Sequence, residues 1–78
     1  MMIVKPLATE KAVGDASIAA ARLVRLVNTG STEVVTVANA TPASFTLVAN
    51  TSIIIEKEIG AAIGATNAVK ASVVAFTA

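Results

Sequence analysis

Residues 22–56 read RLVRLVNTGSTEVVTVANATPASFTLVANTSIIIE, and the reading of this stretch decides the fold. Short runs of Val, Ile, Leu, Thr and Phe are cut by three polar clusters, Asn28-Thr29-Gly30-Ser31, Asn39-Ala40-Thr41-Pro42 and Asn50-Thr51-Ser52, whose leading Asn residues stand eleven apart. Turn signals at that interval with β-rich runs between them are the pattern of an all-β sandwich or barrel. Composition agrees, because 11 Val, 7 Ile and 9 Thr are spread through the 78 residues. β-branched side chains fit a pleated surface and lose rotamer freedom in a helix.

The strands follow one by one. In Arg22–Val27, Leu23, Arg25 and Val27 share one face and Arg22, Val24 and Leu26 the other, since successive side chains of a strand alternate. Glu33–Val37 follows the Asn28–Ser31 cluster and is the expected hairpin partner of that strand. Ser44–Val48 alternates cleanly, which sends Phe45 and Leu47 to the core and Ser44 and Thr46 to solvent. Ser52–Glu58 is apolar on both faces in its first half and charged in its second, so a buried start and a solvated end are expected. Val69–Thr77 closes the chain with Val69, Ala71, Val73 and Ala75 on one face. Met2–Leu7 reads as an edge strand, where Pro6 is tolerated, or as an arm.

Two stretches read as connections. Thr9 can cap a helical turn that Gly14-Asp15 would end, so residues 8–21 are expected to hold a loop or a short helix. Residues 59–67, with Gly60 and Gly64, are expected to link strands and to pack Ile59 and Ile63 inward. The expectation is one domain over residues 1–78: a small antiparallel β-sandwich or β-barrel of five to seven strands, with residues 1–7 as an N-terminal arm or edge strand.

A chain of this length hides only about 60% of its unfolded surface, and small domains usually add a disulfide or a metal. Neither is available in the usual form, because the chain has no Cys and no His. Only 14% of residues are charged while 55% are apolar, against about 25% charged in an average soluble domain. No run of about 18 uninterrupted apolar residues is present, so no transmembrane helix is expected. The first residues lack the charged and apolar regions of a secretion signal, so synthesis inside a cell is expected. Net charge is +1 without a polybasic cluster, and the only aromatics are Phe45 and Phe76, a poor basis for binding nucleic acid.

The chemical repertoire is equally narrow. Ser-His-Asp and Cys-His mechanisms cannot be assembled. Glu56 and Glu58, two apart, would share a strand face and form a carboxylate pair, but a solvated strand end with Lys57 opposing edge-to-edge aggregation is the simpler reading. Asp15 is the single Asp, and no glycine-rich phosphate loop occurs. Arg22 and Arg25 interrupt an apolar run and face opposite ways, which favours an ion pair across a subunit interface with Glu33 or Glu56 over a phosphate clamp. Asn39-Ala40-Thr41 and Asn50-Thr51-Ser52 match the glycosylation pattern but serve more simply as turns. No enzyme, cofactor or metal site is expected.

Across residues 20–76, the strings LVRLVNTG at 23–30, SFTL at 44–47 and IIIEKE at 53–58 resemble small virion structural proteins of tailed bacteriophages, especially those of marine cyanobacteria. The resemblance implies a compact β-sandwich or β-barrel that decorates or cements the capsid, or belongs to the neck or tail, and transfers no catalytic residue. The expected function is a capsid decoration or cement protein located in the virion and made in the host cytoplasm. Its expected partners are further copies of itself, as a homo-oligomer with a trimer foremost, and the major capsid protein or another virion protein, without nucleic acid or membrane. The alternative is a neck, tail or fibre component that binds a receptor or glycan, against which stands the lack of Trp and Tyr. Interface contacts are expected from Met2, Ile3 and Val4, from Arg22 and Arg25, and from Ile53, Ile54, Ile55 and Lys57.

Overall fold

The computed structural model describes residues 3–66 and 68–77; Met2, expected at an interface, lies outside the described residues. In chain order the elements are β1 (Ile3–Pro6), β2 (Lys11–Ala12), α1 (Ala16–Ala20), β3 (Leu23–Asn28), β4 (Glu33–Val37), β5 (Ala43–Leu47), β6 (Ser52–Glu56), β7 (Ile63–Gly64) and β8 (Val69–Thr77). The fold is the expected small all-β one. Strands run antiparallel in two sheets, one ordered β1-β8-β3-β6 with β2 also on β8, the other ordered β5-β4-β7. Among the described residues the eight strands exceed the expected five to seven through β2 and β7, which have two residues each; the other six have four or more. Residues 3–6 pair with β8 of their own chain, so they form the edge strand, the first of the two readings for this segment.

The pairing differs from expectation at one point that reorganises the fold. β3 and β4 are not hairpin partners: β3 pairs with β6 and β8, and β4 pairs with β5 and β7. Of the three Asn-led clusters only the middle one closes a hairpin, between β4 and β5. The outer two carry the chain from one sheet to the other, and they do so side by side. Asn28 N–H donates to Thr51 O (3.0 Å), and Asn50 N–H donates to Asn28 O (2.9 Å) with Asn50 in the left-handed region (φ 60°), which Asn tolerates. β3–β4 and β5–β6 are thus the two limbs of one long hairpin bent back over itself, with its tip at residues 38–42. The eleven-residue spacing places Asn39 at the tip and Asn28 and Asn50 at opposite sides of the bend.

The bend is held by a buried amide. Asn28 is fully buried; its Nδ2 donates to Ser31 O (2.8 Å) and to Leu47 O (2.9 Å), and its Oδ1 accepts from Gly30 N (2.9 Å). Leu47 ends β5 in the second sheet, so one side chain ties both sheets to the corner. Thr29 adds a backbone and a hydroxyl bond to Ala68 O (2.9 and 2.8 Å). This draws residue 68 so close that a Cβ on Gly30 would stand 2.7 Å from Ala68 Cβ, and only glycine fits there.

The core lies between the sheets. Val24, Leu26, Val69 and Ala71 face Val35, Leu47 and Ile63, and Phe45 packs against this set as its alternation predicts. Burying each larger aliphatic side chain is worth about 1.5–3 kcal/mol. Val13 and Ile18 close the core from the N-terminal segment, whose form differs from expectation. Lys11 and Ala12 pair with β8, which removes them from any helix behind Thr9. The helix instead begins after Asp15, whose Oδ1 accepts from the hydroxyl (2.6 Å) and the backbone N–H (2.9 Å) of Ser17. Those two bonds, the hydroxyl one foremost, hold the Asp15 carboxyl below its ordinary value of 3.8.

Asn28→Ala leaves two carbonyls and one N–H at the bend without this partner, and unfolding by denaturant should show a loss of about 2–4 kcal/mol. Asp15 gives a separate expectation. Because the folded chain holds its proton more weakly than the unfolded chain, its stabilisation is complete above pH 3.8 and fades as pH falls through the lower folded value. The stability difference between wild type and Asp15→Asn, followed by thermal melts, should therefore be constant near neutrality and narrow in acid.

Candidate functional site

An open groove of about 380 Å³ is lined by Arg22, Asn39, Glu56, Lys57, Glu58 and Ile59. It forms where the hairpin tip, the segment after β6 and the entry to β3 meet. Ala38 N–H donates to Ala62 O (2.9 Å), Glu58 N–H donates to Asn39 Oδ1 (3.0 Å), and Ala40 N–H donates to Glu58 Oε1 (2.8 Å). The tip is thereby clamped to residues 58–62.

Lys57 occupies the floor of this groove and overturns its expected role. It is not at a solvated strand end: β6 stops at Glu56, and Lys57 is 3% exposed. Its Nζ donates to Ala19 O (2.7 Å), Ala21 O (2.6 Å) and Glu58 O (3.3 Å), while its backbone N–H donates to Arg22 O (2.8 Å). The ammonium caps the carbonyl end of α1, where a cation is favourable and orphan acceptors need donors. Burial lowers its pKa from the ordinary 10.5. As an expected contact residue Lys57 is corrected, because all three of its donors are taken up inside the chain.

The other expected contact residues separate into two groups. Arg22 Nε donates to Glu56 Oε2 at 3.1 Å within one chain, and both side chains are mostly exposed, so the pair contributes at most about 1 kcal/mol. Glu33, the other carboxylate proposed for an arginine, instead accepts from the backbone N–H (2.9 Å) and the hydroxyl of Thr66. Arg25 lies in the middle of β3, opposite Ile54 on one side and Ser72 on the other. Ile53, Ile54 and Ile55 form the centre of β6, the end strand of its sheet, with Ile53 exposed and the other two half-buried. Val4 sits in β1 and is half-buried; Ile3 pairs with Thr77. Ile59 is 74% exposed, against the expectation that it packs inward, whereas Ile63 is buried as expected.

Glu56 and Glu58 do reach one groove, but the strand ends between them and each has its own partner. No group of three or more metal-ligating side chains occurs among the described residues. The groove is therefore a polar junction whose charged groups are committed to holding the chain together. No local sequence signal marks Lys57, because its acceptors Ala19 O and Ala21 O lie 38 and 36 residues away.

Comparison of the chain with protein-family models, curated proteins and solved structures returned no match.

Lys57→Met keeps the apolar stem and removes the ammonium, leaving Ala19 O and Ala21 O without their donor. Equilibrium unfolding should show a loss of about 2–3 kcal/mol, whereas Glu56→Gln should change stability by less than about 1 kcal/mol.

Proposed function

We propose that this chain is a non-enzymatic structural protein that acts by covering surface in a larger assembly. The observation that supports this most is the state of its surface. Leu7, Val34, Val48, Ile53 and Ile59 are left 40–74% exposed on a chain of 78 residues. Meanwhile several of the few charged side chains, Lys57, Glu33, Glu58 and Asp15, are engaged with backbone groups of the same chain. Contacts between subunits are built from side chains of this kind.

The resemblance of residues 20–76 to small virion proteins of tailed bacteriophages supports a capsid as the assembly, with this chain decorating or cementing the shell beside the major capsid protein. The mechanism is mechanical: each subunit buries area across its neighbours, so opening the shell requires breaking those contacts as well. Arg25 and the aliphatic residues of β6 are the contact residues this reading favours, since Arg22 and Lys57 are already paired within the chain.

Quantitative mass spectrometry of purified particles of the encoding phage tests the reading. A copy number matching the major capsid subunit is the expected result; a few copies per particle would move the chain to the neck or tail, and absence from particles would overturn the proposal.

A further inference from the structure

β6 ends its sheet, and among the described residues nothing pairs with its outer side. The alternation of an antiparallel ladder fixes which backbone groups point there. Lys57 N–H bonds Arg22 O, and Asn28 N–H bonds Thr51 O, so the odd-numbered residues of β6 turn their N–H and C=O toward β3. Ser52, Ile54 and Glu56 therefore turn theirs outward. Exposed edges of soluble proteins are ordinarily guarded by Lys, Pro or a bulge. β1 at the opposite side carries exposed Lys5 and Pro6; Ser52-Ile53-Ile54-Ile55-Glu56 carries neither residue type. The lysine that would guard it, Lys57, is drawn inward to α1.

We infer that β6 pairs with β6 of a second copy of this chain, antiparallel and centred on Ile54, so that two five-stranded sheets become one. The register is self-complementary. Ile54 faces its own copy as a hydrogen-bonded pair, and Ser52 of each chain exchanges both backbone bonds with Glu56 of the other, which uses every outward group of the strand. Ile53 meets Ile55 of the second copy on the core side of the sheet, covering the exposed Ile53. The two Glu56 carboxylates end at opposite ends of the new ladder, each beside a neutral Ser52 and its own Arg22, so no like charges oppose each other. An isologous contact of this kind closes on itself and yields an even number of copies, not the trimer expected from the sequence. This deepens the assembly reading by naming the first partner, and it is decided by the solution mass of the chain, independently of whether particles contain it.

Native mass spectrometry and light scattering of the full chain at micromolar concentration should give an even-numbered oligomer. Ile54→Pro removes only an outward N–H and should halve the mass with an unchanged circular dichroism spectrum; Ile54→Lys is the second variant should proline disturb the strand. In the proposed register the two residue-54 Cα atoms lie about 5.5 Å apart, within the range of about 4.4–6.8 Å that a disulfide spans. Ile54→Cys in this cysteine-free chain should therefore give a covalent dimer on mild oxidation, and Val34→Cys on the outer face of β4 should not. A monomer or a trimer, or an oligomer that survives both Ile54→Pro and Ile54→Lys without Ile54→Cys crosslinking, would overturn the pairing; the last result would leave the assembly reading intact.

Discussion

The fold depends on a side-chain amide placed where two strands leave one sheet and enter another. A bend in a two-stranded ribbon interrupts the ladder and leaves backbone groups inside the protein without partners, and each such group costs about 1–3 kcal/mol if nothing replaces the lost bond. Asn28 supplies two donors and an acceptor from a single buried residue, and its own N–H and C=O bond to the opposite limb. No aliphatic residue can do this, and a carboxylate offers no donors. The residues around it are adapted to that amide: Gly30 has no Cβ because Ala68 is pulled close, and Asn50 adopts a backbone conformation that most residues avoid.

How a domain of this size holds together without a disulfide follows from the same habit. Lys57 joins the end of α1 to the segment after β6, Glu33 joins β4 to Thr66, and Glu58 grips the hairpin tip. Polar side chains bonded to backbone thus act as cross-links between segments far apart in sequence. The strategy has a counterpart at the surface. Charge spent on internal bonds is not available to keep aliphatic residues solvated, and the exposed Val34, Val48 and Ile59 are what remains.

Much of this was legible in the sequence, and the rest was not for identifiable reasons. Alternation along Ser44–Val48 placed Phe45 and Leu47 correctly, and β8 occupies the expected residues 69–77, because both signals are local and have a period of two. Strand partnership is a different kind of information. Asn28-Thr29-Gly30-Ser31 has the composition of a hairpin turn, and nothing within those four residues says whether the next strand returns beside the last or crosses to the other sheet. The helix start at Asp15 lost to Thr9 in the sequence reading because the capacity of Lys11 and Ala12 to pair with β8 lies some sixty residues away. Lys57 was misplaced for the same reason, since its acceptors lie on α1. Of the candidate site, the aliphatic centre of β6 was visible as a string, while its free side became apparent only with the topology.

The limbs of the bent hairpin are unequal: five residues, 28–32, separate the paired Val27 and Glu33, while four, 48–51, separate Leu47 from Ser52. The extra residue changes which positions face inward, from even numbers in β3 to odd numbers in β4, whereas β5 and β6 keep the same parity. The corner at Asn28–Thr32 therefore works as a phase shifter for the hydrophobic pattern. The inward positions on each side of it are held separately, in β3 by pairing with β6 and β8 and in β4 by pairing with β5 and β7, so this corner joins two ladders that are out of step with each other.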